Sequence, residues 1–552
     1  MKHDAVRAVQ TAIKYATPAQ RRDIAKELKG AYPQLAESRY AKFLIGKLLV
    51  QNDDEIRDLI IPEFYGKVRK LINHPEASWI LDDVYRGVAT AEQKTILLRE
   101  WYGPDFALFR AGAANAGGAT TTAELAQILE QEPNKKSTIT KYLLDMINGL
   151  IQKKMTGFTM LHDAMLQYFL NLKPGTEEHR EFLEIVKEDE GGDLLKNMAF
   201  TKSGARLACL LLAYGGAKDR KQLLRTYKET FQLMCGDQYG HVIILAAYDL
   251  IDDTVLTSKT ILPEILGKNE DEVQNIIFCA NNLNARTTVL YLFEGPSKAL
   301  FPGSHSGDLD ILREVHEIRK TTSKKDDETR RKELVTAASP HLLAAIAAAP
   351  GDLVSTSFGC QLVTDVLLSA VGDKTKALEA IAATAAGSPE GLSGEETYPP
   401  PRQHVSQTAF GGKMFKTLIA GGRFHRESGQ IKQVDPPLGF ADILYPRIRE
   451  HIVAWATGPS SFVPLALLEA EQFAERDQLR GALLENKAAL EKAASEETAE
   501  QKAKREATDQ QNGDGEAEKK GKKAKSSKQD RTVGNAGARL LLQHLGSATS
   551  LR

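Results

Sequence analysis

Arg7, Phe43 and Trp79 stand at successive intervals of 36 residues, each inside an apolar stretch of helical period. Flat aromatic and guanidinium groups at equivalent points can stack on nucleic-acid bases. Aromatics at helical spacing also build cores, so both uses stay open for Phe43 and Trp79. Cations gather around the same stretches. Lys42, Lys47, Lys67, Arg69 and Lys70 come early; Lys153, Lys154, Lys202, Arg206, Lys218, Arg220, Lys221 and Arg225 follow, with Lys413 and Lys416 later. Spread over a surface, such side chains neutralise phosphates without reading sequence, which gives salt-sensitive polyanion binding. The densest group is Lys67-Val68-Arg69-Lys70, where like charges repel unless an anion relieves them. Reversing Lys67, Arg69 and Lys70 together is expected to weaken RNA binding uniformly across sequences.

Catalytic patterns are missing. No G-x-x-x-x-G-K-[ST], H-E-x-x-H or G-x-S-x-G stands where it would carry chemistry. Gly411-Gly412-Lys413 lacks the upstream glycine and a following Ser or Thr, and Gly421-Gly422-Arg423-Phe424-His425 is a basic glycine-rich turn with at most a phosphate-cradling role. His162-Asp163 and Asp82-Asp83 read as capping or salt-bridge residues. Cys209, Cys235, Cys279 and Cys360 form no C-x-x-C pair and have no accompanying histidine cluster, so buried thiols are expected and a zinc site is not. No enzyme activity, cofactor or metal is expected.

The elements that carry these residues read as helix, short turn, helix. A repeat of this length marks one supersecondary unit copied along the chain, hence a solenoid, which presents a long surface. In the second copy Phe43, Leu44, Leu48 and Leu49 recur at helical spacing, and Asp53-Asp54-Glu55 opens the next helix. Later copies are Gly157–Asp163, Ser203–Leu210, Tyr239–Leu245, Phe358–Thr364, Gly411–Lys416, Ser461–Leu465 and Gly537–Leu541. The small residue that recurs before each second helix suits a tight turn. The expected organisation is a first array over 1–110, a linker over 111–136 and a second array over 137–300. Divergent repeats over 301–484, a disordered charged insert over 485–530 and a terminal helix over 531–552 complete it. Thr321–Lys332 is a charged loop or solvated helix, and His404–Gln433, with several glycines, is specified least. Deleting 491–529 is expected to leave the melting temperature nearly unaltered.

Composition sets few further bounds. The 552 residues are 42% hydrophobic with a formal net charge of −1, ordinary for a globular chain. Residues 1–110 hold 18 Lys and Arg against 15 Asp and Glu, so that part is mildly positive. No run approaches the roughly 18 apolar residues of a membrane span, and Met1-Lys2-His3-Asp4 lacks a secretory signal's apolar core.

A Tyr-Gly or variant before a face built at i, i+1 and i+4 resembles the Pumilio (PUF) repeat. Lys2–Tyr15, Ser38–Phe43 and His74–Ser78 are similar to the opening of its Puf-A (penguin) branch, and Leu465–Glu469 is similar to that branch's C-terminal CPL region. The resemblance implies an all-α solenoid of about ten or eleven PUF-type repeats in two arrays, L-shaped. It implies binding of RNA or DNA with little sequence preference, nucleolar residence and a role in large-subunit assembly and pre-rRNA processing. Pre-ribosomal RNA and pre-60S assembly proteins would be its partners, and a monomer without membrane attachment its form. Some members also repress translation of a messenger RNA.

PUF repeats read one base each through side chains at i and i+4, with a stacking residue at i+1. Here the edge pairs are Val6/Gln10, Lys42/Gly46, Ser78/Asp82, Thr159/Asp163, Ala205/Cys209, His241/Leu245, Cys360/Thr364, Gly412/Lys416 and Ser461/Leu465. None is a complete base-reading pair, because each needs donors and acceptors matched to a base edge. The stacking positions are Arg7, Phe43, Trp79, Met160, Arg206, Val242, Gln361, Lys413 and Phe462. The expectation is a kept scaffold whose base code is lost and whose affinity comes from charge. A HEAT- or armadillo-like protein scaffold without RNA contacts is the alternative.

Overall fold

Apolar residues at helical spacing turn the chain into a succession of short helices. The computed structural model describes residues 3–108, 122–187, 191–389, 403–425, 429–498, 501–503 and 533–547. Met1–Thr260 with Gly303–Lys325 forms one compact unit, and Ile261–Pro302 with Asp326–Arg552 forms the other. This differs from the expected boundaries: 1–108 and 122–260 share one unit, and 303–325 belongs with them.

In the first unit His3–Tyr15, Lys42–Leu49, Ala77–Gly87, Thr159–Leu170, Lys202–Tyr214 and Gly240–Leu250 pack each on the next. Each buries an apolar stripe between neighbours. In Lys42–Leu49 it is Leu44, Ile45, Leu48 and Leu49, while Phe43 and Lys47 face outward. In the second unit Leu283–Glu294, Ser357–Ser369, Ala409–Ala420, Phe462–Glu469 and Ala536–Ser547 follow one another in the same way. The Leu283–Glu294 helix has no Tyr-Gly ahead of it and escaped the sequence pattern; Asn282 caps it instead, its side chain accepting from the Ala285 N–H at 3.0 Å.

The recurring small residue has a reason other than the turn. Thr201 accepts from the Gly204 N–H at 3.2 Å, and Thr356 from the Gly359 N–H at 3.0 Å. These threonines cap their helices, and each glycine lies against the preceding helix's end. A Cβ would strike the Met198 carbonyl at Gly204 and the Leu353 carbonyl at Gly359. Close backbone approach selects glycine there.

Other segments depart from expectation. Residues 122–136 carry the Leu125–Gln131 helix with Leu125 and Ile128 buried, so this part of the expected linker is packed; 109–121 lie outside the described residues. Around Thr321–Lys332, Thr322 accepts a hydrogen bond from Arg220 and Arg330 is buried beside Asp327. Two four-residue strands, Gly422–His425 and Gln430–Gln433, pair antiparallel in the glycine-rich segment.

The start of the expected charged insert is ordered. Lys487–Ser495 is a helix that buries Leu490 and packs on Ala536–Ser547, and the Asn535 N–H reaches the Ala493 carbonyl at 2.9 Å. Its alanines and single leucine make a narrow apolar stripe that charge content concealed. Deleting 491–529 therefore removes packed structure, and the melting temperature is expected to fall. Leu490→Ala alone should cost about 2–5 kcal/mol in denaturant unfolding; a midpoint equal to wild type would show that the helix contributes nothing.

Candidate nucleic-acid interface

Three stacked helices place the residues at the 36-residue interval in one exposed row. Arg7 is exposed on His3–Tyr15, Phe43 is 52% exposed on Lys42–Leu49, and Trp79 is 58% exposed on Ala77–Gly87. Neither ring is core. Trp79 rests edge-on against Phe158, with centroids 5.2 Å apart, and leaves the rest of its surface in water. Lys42 Nζ stands 5.3 Å from the Phe43 ring but is held by Glu76 at 2.6 Å. Lys42 is thus a strut between repeats rather than an available phosphate ligand. Lys47 is exposed one helical turn from Phe43.

The Lys67-Arg69-Lys70 group is not left repelling itself. Lys70 pairs with Glu37 at 2.5 Å, and Arg69 donates to Tyr142 Oη at 2.8 Å with its guanidinium 4.7 Å from that ring. Protein groups thus supply the relief expected from an anion, and Lys67 remains exposed. The same contacts join two clusters distant in sequence, because Lys153 donates to Asn73 Oδ1 at 2.7 Å and Lys154 is exposed beside it. Lys67, Arg69, Lys153 and Lys154 form one basic strip.

A groove of about 570 Å³ opens further along this unit. Lys202 lines it with Lys94, Arg86, Tyr85, Phe200 and Tyr239. Phe200 is 37% exposed and Lys94 Nζ lies 5.7 Å from the Tyr85 ring. Sequence reasoning missed Lys94, Arg86 and Phe200. Lys94 sits on the following helix and Phe200 in a turn, both outside the repeated pattern, and Arg86 in the last turn of the Trp79 helix, beyond the positions the pattern marks.

Most of the edge-reading positions do not face outward, Gly46 and Lys416 being the exposed exceptions. Val6, Ser78, Asp82, Ala205, Cys209, His241, Leu245, Cys360, Ser461 and Leu465 are all buried. Asp82 accepts the Met160 N–H at 3.0 Å and so holds the start of Thr159–Leu170; burial, opposed by these backbone bonds, pushes its pKa up to about 6. Asp163 accepts from Tyr85 Oη at 2.5 Å. The stacking positions Met160 and Val242 are buried as well.

Arg206 and Arg220 are not free cations. Ser306–Arg319 lies across Lys202–Tyr214 and Gly240–Leu250, and Glu314 takes Arg206 in a bidentate pair at 3.0 and 3.1 Å. Arg220 is 3% exposed and donates to the Leu212 and Ala213 carbonyls at 2.9 and 3.1 Å. On the same helix Lys218, Lys221 and Arg225 are exposed. In the second unit Lys413 is exposed and Lys416 Nζ stands 5.1 Å from the Phe462 ring. Arg423, the cation of the supposed phosphate turn, is instead paired with Glu294 and Asp365. All four cysteines are buried and unbridged.

A solenoid of stacked helices with an outward row of cationic and aromatic side chains is a helical-repeat protein of the Pumilio kind. Comparison with known proteins agrees. The CPL (NUC119) domain matches residues 281–430, which leaves Leu465–Glu469 outside the matched span. Pumilio homology domain family member 6 of Schizosaccharomyces pombe is 31% identical over 491 residues, covering 89% of this chain and 71% of that protein. Pumilio homolog 3 of Homo sapiens is 30% identical over 436 residues, covering 78% of this chain and 61% of that one. The crystal structure of human Puf-A superposes with a TM-score of 0.69 at 27% identity, covering 89% of each chain, as does human Puf-A in complex with DNA. The chain belongs to the Pumilio homology family, in its Puf-A-like branch.

Proposed function

We propose that this protein binds single-stranded RNA, and DNA by the same contacts, with little sequence preference. The observation that carries the reading is the exposed row Arg7, Phe43 and Trp79 on three stacked helices. Water-facing rings at one interval give a backbone-tracking strand successive stacking platforms, and every base has a face to stack. The basic strip of Lys67, Arg69, Lys153 and Lys154 supplies sequence-indifferent phosphate contacts. The solved complex of human Puf-A with DNA supports the same reading.

The place of action we propose is the nucleolus, in pre-rRNA processing and large-subunit assembly alongside pre-60S proteins, with the protein acting as a monomer. This rests on the Puf-A-like family membership. A crosslinking map of bound RNA from cells should be dominated by pre-rRNA; enrichment of messenger RNAs alone would favour translational control.

Salt titration tests the binding mode. Affinity for unrelated RNA sequences should be equal and should fall steeply with salt. Lys47→Glu, Lys67→Glu and Lys154→Glu together should weaken all sequences alike. Each lysine that touches a phosphate should, once reversed, lower the log–log salt slope by about 1. No RNA binding at low salt would favour a protein-binding scaffold instead.

A further inference from the structure

His241, His305 and Asp308 bring two imidazoles and a carboxylate together in the first unit, with all three donor atoms within 4.8 Å of one another. His241 stands on Gly240–Leu250 and is fully buried. Its Nδ1 lies 2.9 Å from the Asp237 carbonyl oxygen. A carbonyl only accepts, so Nδ1 carries the proton and Nε2 of the neutral ring presents a lone pair. With the ring neutral, that lone pair faces Asp308 Oδ2 at 3.2 Å, one acceptor against another, and only a proton on Nε2 or a cation between the two makes the contact favourable.

From the other side His305 Nδ1 stands 3.0 Å from the same oxygen. The approach makes no hydrogen bond, and this nitrogen is buried with no hydrogen-bond partner. Buried polar atoms left in this way ask for an explanation, an ion among them. A proton on His241 would answer the first contact and leave the second unanswered, whereas one cation between the three groups answers both. The spacing agrees. Ligands about 2.0–2.1 Å from a tetrahedral zinc sit roughly 3.3 Å from each other.

We propose that His241 Nε2, His305 Nδ1 and an Asp308 carboxylate oxygen bind a divalent cation of the zinc class, with one coordination position left to water. Imidazole with carboxylate suits zinc or its late-transition neighbours over magnesium. The Nδ1–H bond to the Asp237 carbonyl is the outer partner that fixes the tautomer and aims the ring. The ion fastens Ser306–Arg319 to Gly240–Leu250, and a residue in the edge-reading frame becomes a metal ligand.

The test uses the full chain stripped with chelator and titrated with zinc chloride by calorimetry, with cobalt(II) chloride as a spectroscopic probe. Wild type should take up roughly one equivalent, and cobalt should give a visible band of low-coordinate nitrogen and oxygen ligation. His305→Gln and Asp308→Asn should each weaken uptake by at least ~10-fold, since even outer partners of a metal ligand contribute that much. His305 lies at the rim, so its variant should keep the wild-type circular dichroism. Zinc uptake by wild type no greater than by His305→Gln overturns the proposal. So does an equivalent that persists at unchanged affinity in both variants.

Discussion

Changing Phe43 and Trp79 to alanine in one chain is expected to weaken single-stranded RNA binding by about 2–6 kcal/mol, roughly thirtyfold at the low end, because each stacked base contributes ~1–3 kcal/mol. The rings are 52% and 58% exposed, so little packing goes with them beyond the edge of Trp79 on Phe158. The melting temperature should therefore move little. Fluorescence anisotropy with several scrambled oligonucleotides should show the same weakening for each. Stacking releases no counterions, so the salt slope should stay at the wild-type value. That sets this variant apart from the lysine reversals. An unchanged dissociation constant in a folded double variant would remove the row from the interface.

His162 sets the second large expectation. It is fully buried on Thr159–Leu170, where Nε2 donates to the Thr156 carbonyl and Nδ1 faces Thr201 Oγ1, both at 2.9 Å. Thr201 is also the cap of the next repeat's helix, so this ring ties two repeats together. Burial disfavours the imidazolium and brings the pKa down from 6.5 to about 4. A depressed folded value means that the unfolded chain takes up the proton first. The stability this neutral ring contributes is whole above about pH 6.5 and drains away as pH falls through about 4. Chemical denaturation of wild type and His162→Gln at pH 7 and pH 4 isolates the effect, because the buried Asp82 titrates in both. The wild-type advantage should shrink by about 3 kcal/mol between the two conditions. A difference that does not vary with pH would mean that the ring is not held neutral.

Where the sequence was readable, repetition made it so. The 36-residue interval places Phe43 and Trp79 on equivalent turns of stacked helices but left core and water both open for the rings; the stripe of Leu44, Ile45, Leu48 and Leu49, buried in the fold, is what turns Phe43 outward. Period alone does not say what lies over a face. The Arg206 and His241 positions fit the repeat as well as Phe43 does, yet Ser306–Arg319 covers them. Glu314 and Asp308 read as ordinary solvated acids because their partners lie 108 and 67 residues away. Charge counting failed for a related reason. Lys42, Lys70, Arg206 and Arg220 look alike as cations in the chain, and only the fold shows that Glu76, Glu37, Glu314 and two carbonyls already hold them.

The return of residues 303–325 to the first unit, after 261–302 has entered the second, means that neither unit is one continuous stretch of chain. On the ribosome the first unit stays incomplete until residue 325 has left the exit tunnel. Until then the surfaces that Ser306–Arg319 will cover, including the buried aliphatic face of Gly240–Leu250, stand open while later repeats are still being made. A chain truncated after Thr260 should therefore be prone to aggregation, and one extended to Lys325 less so.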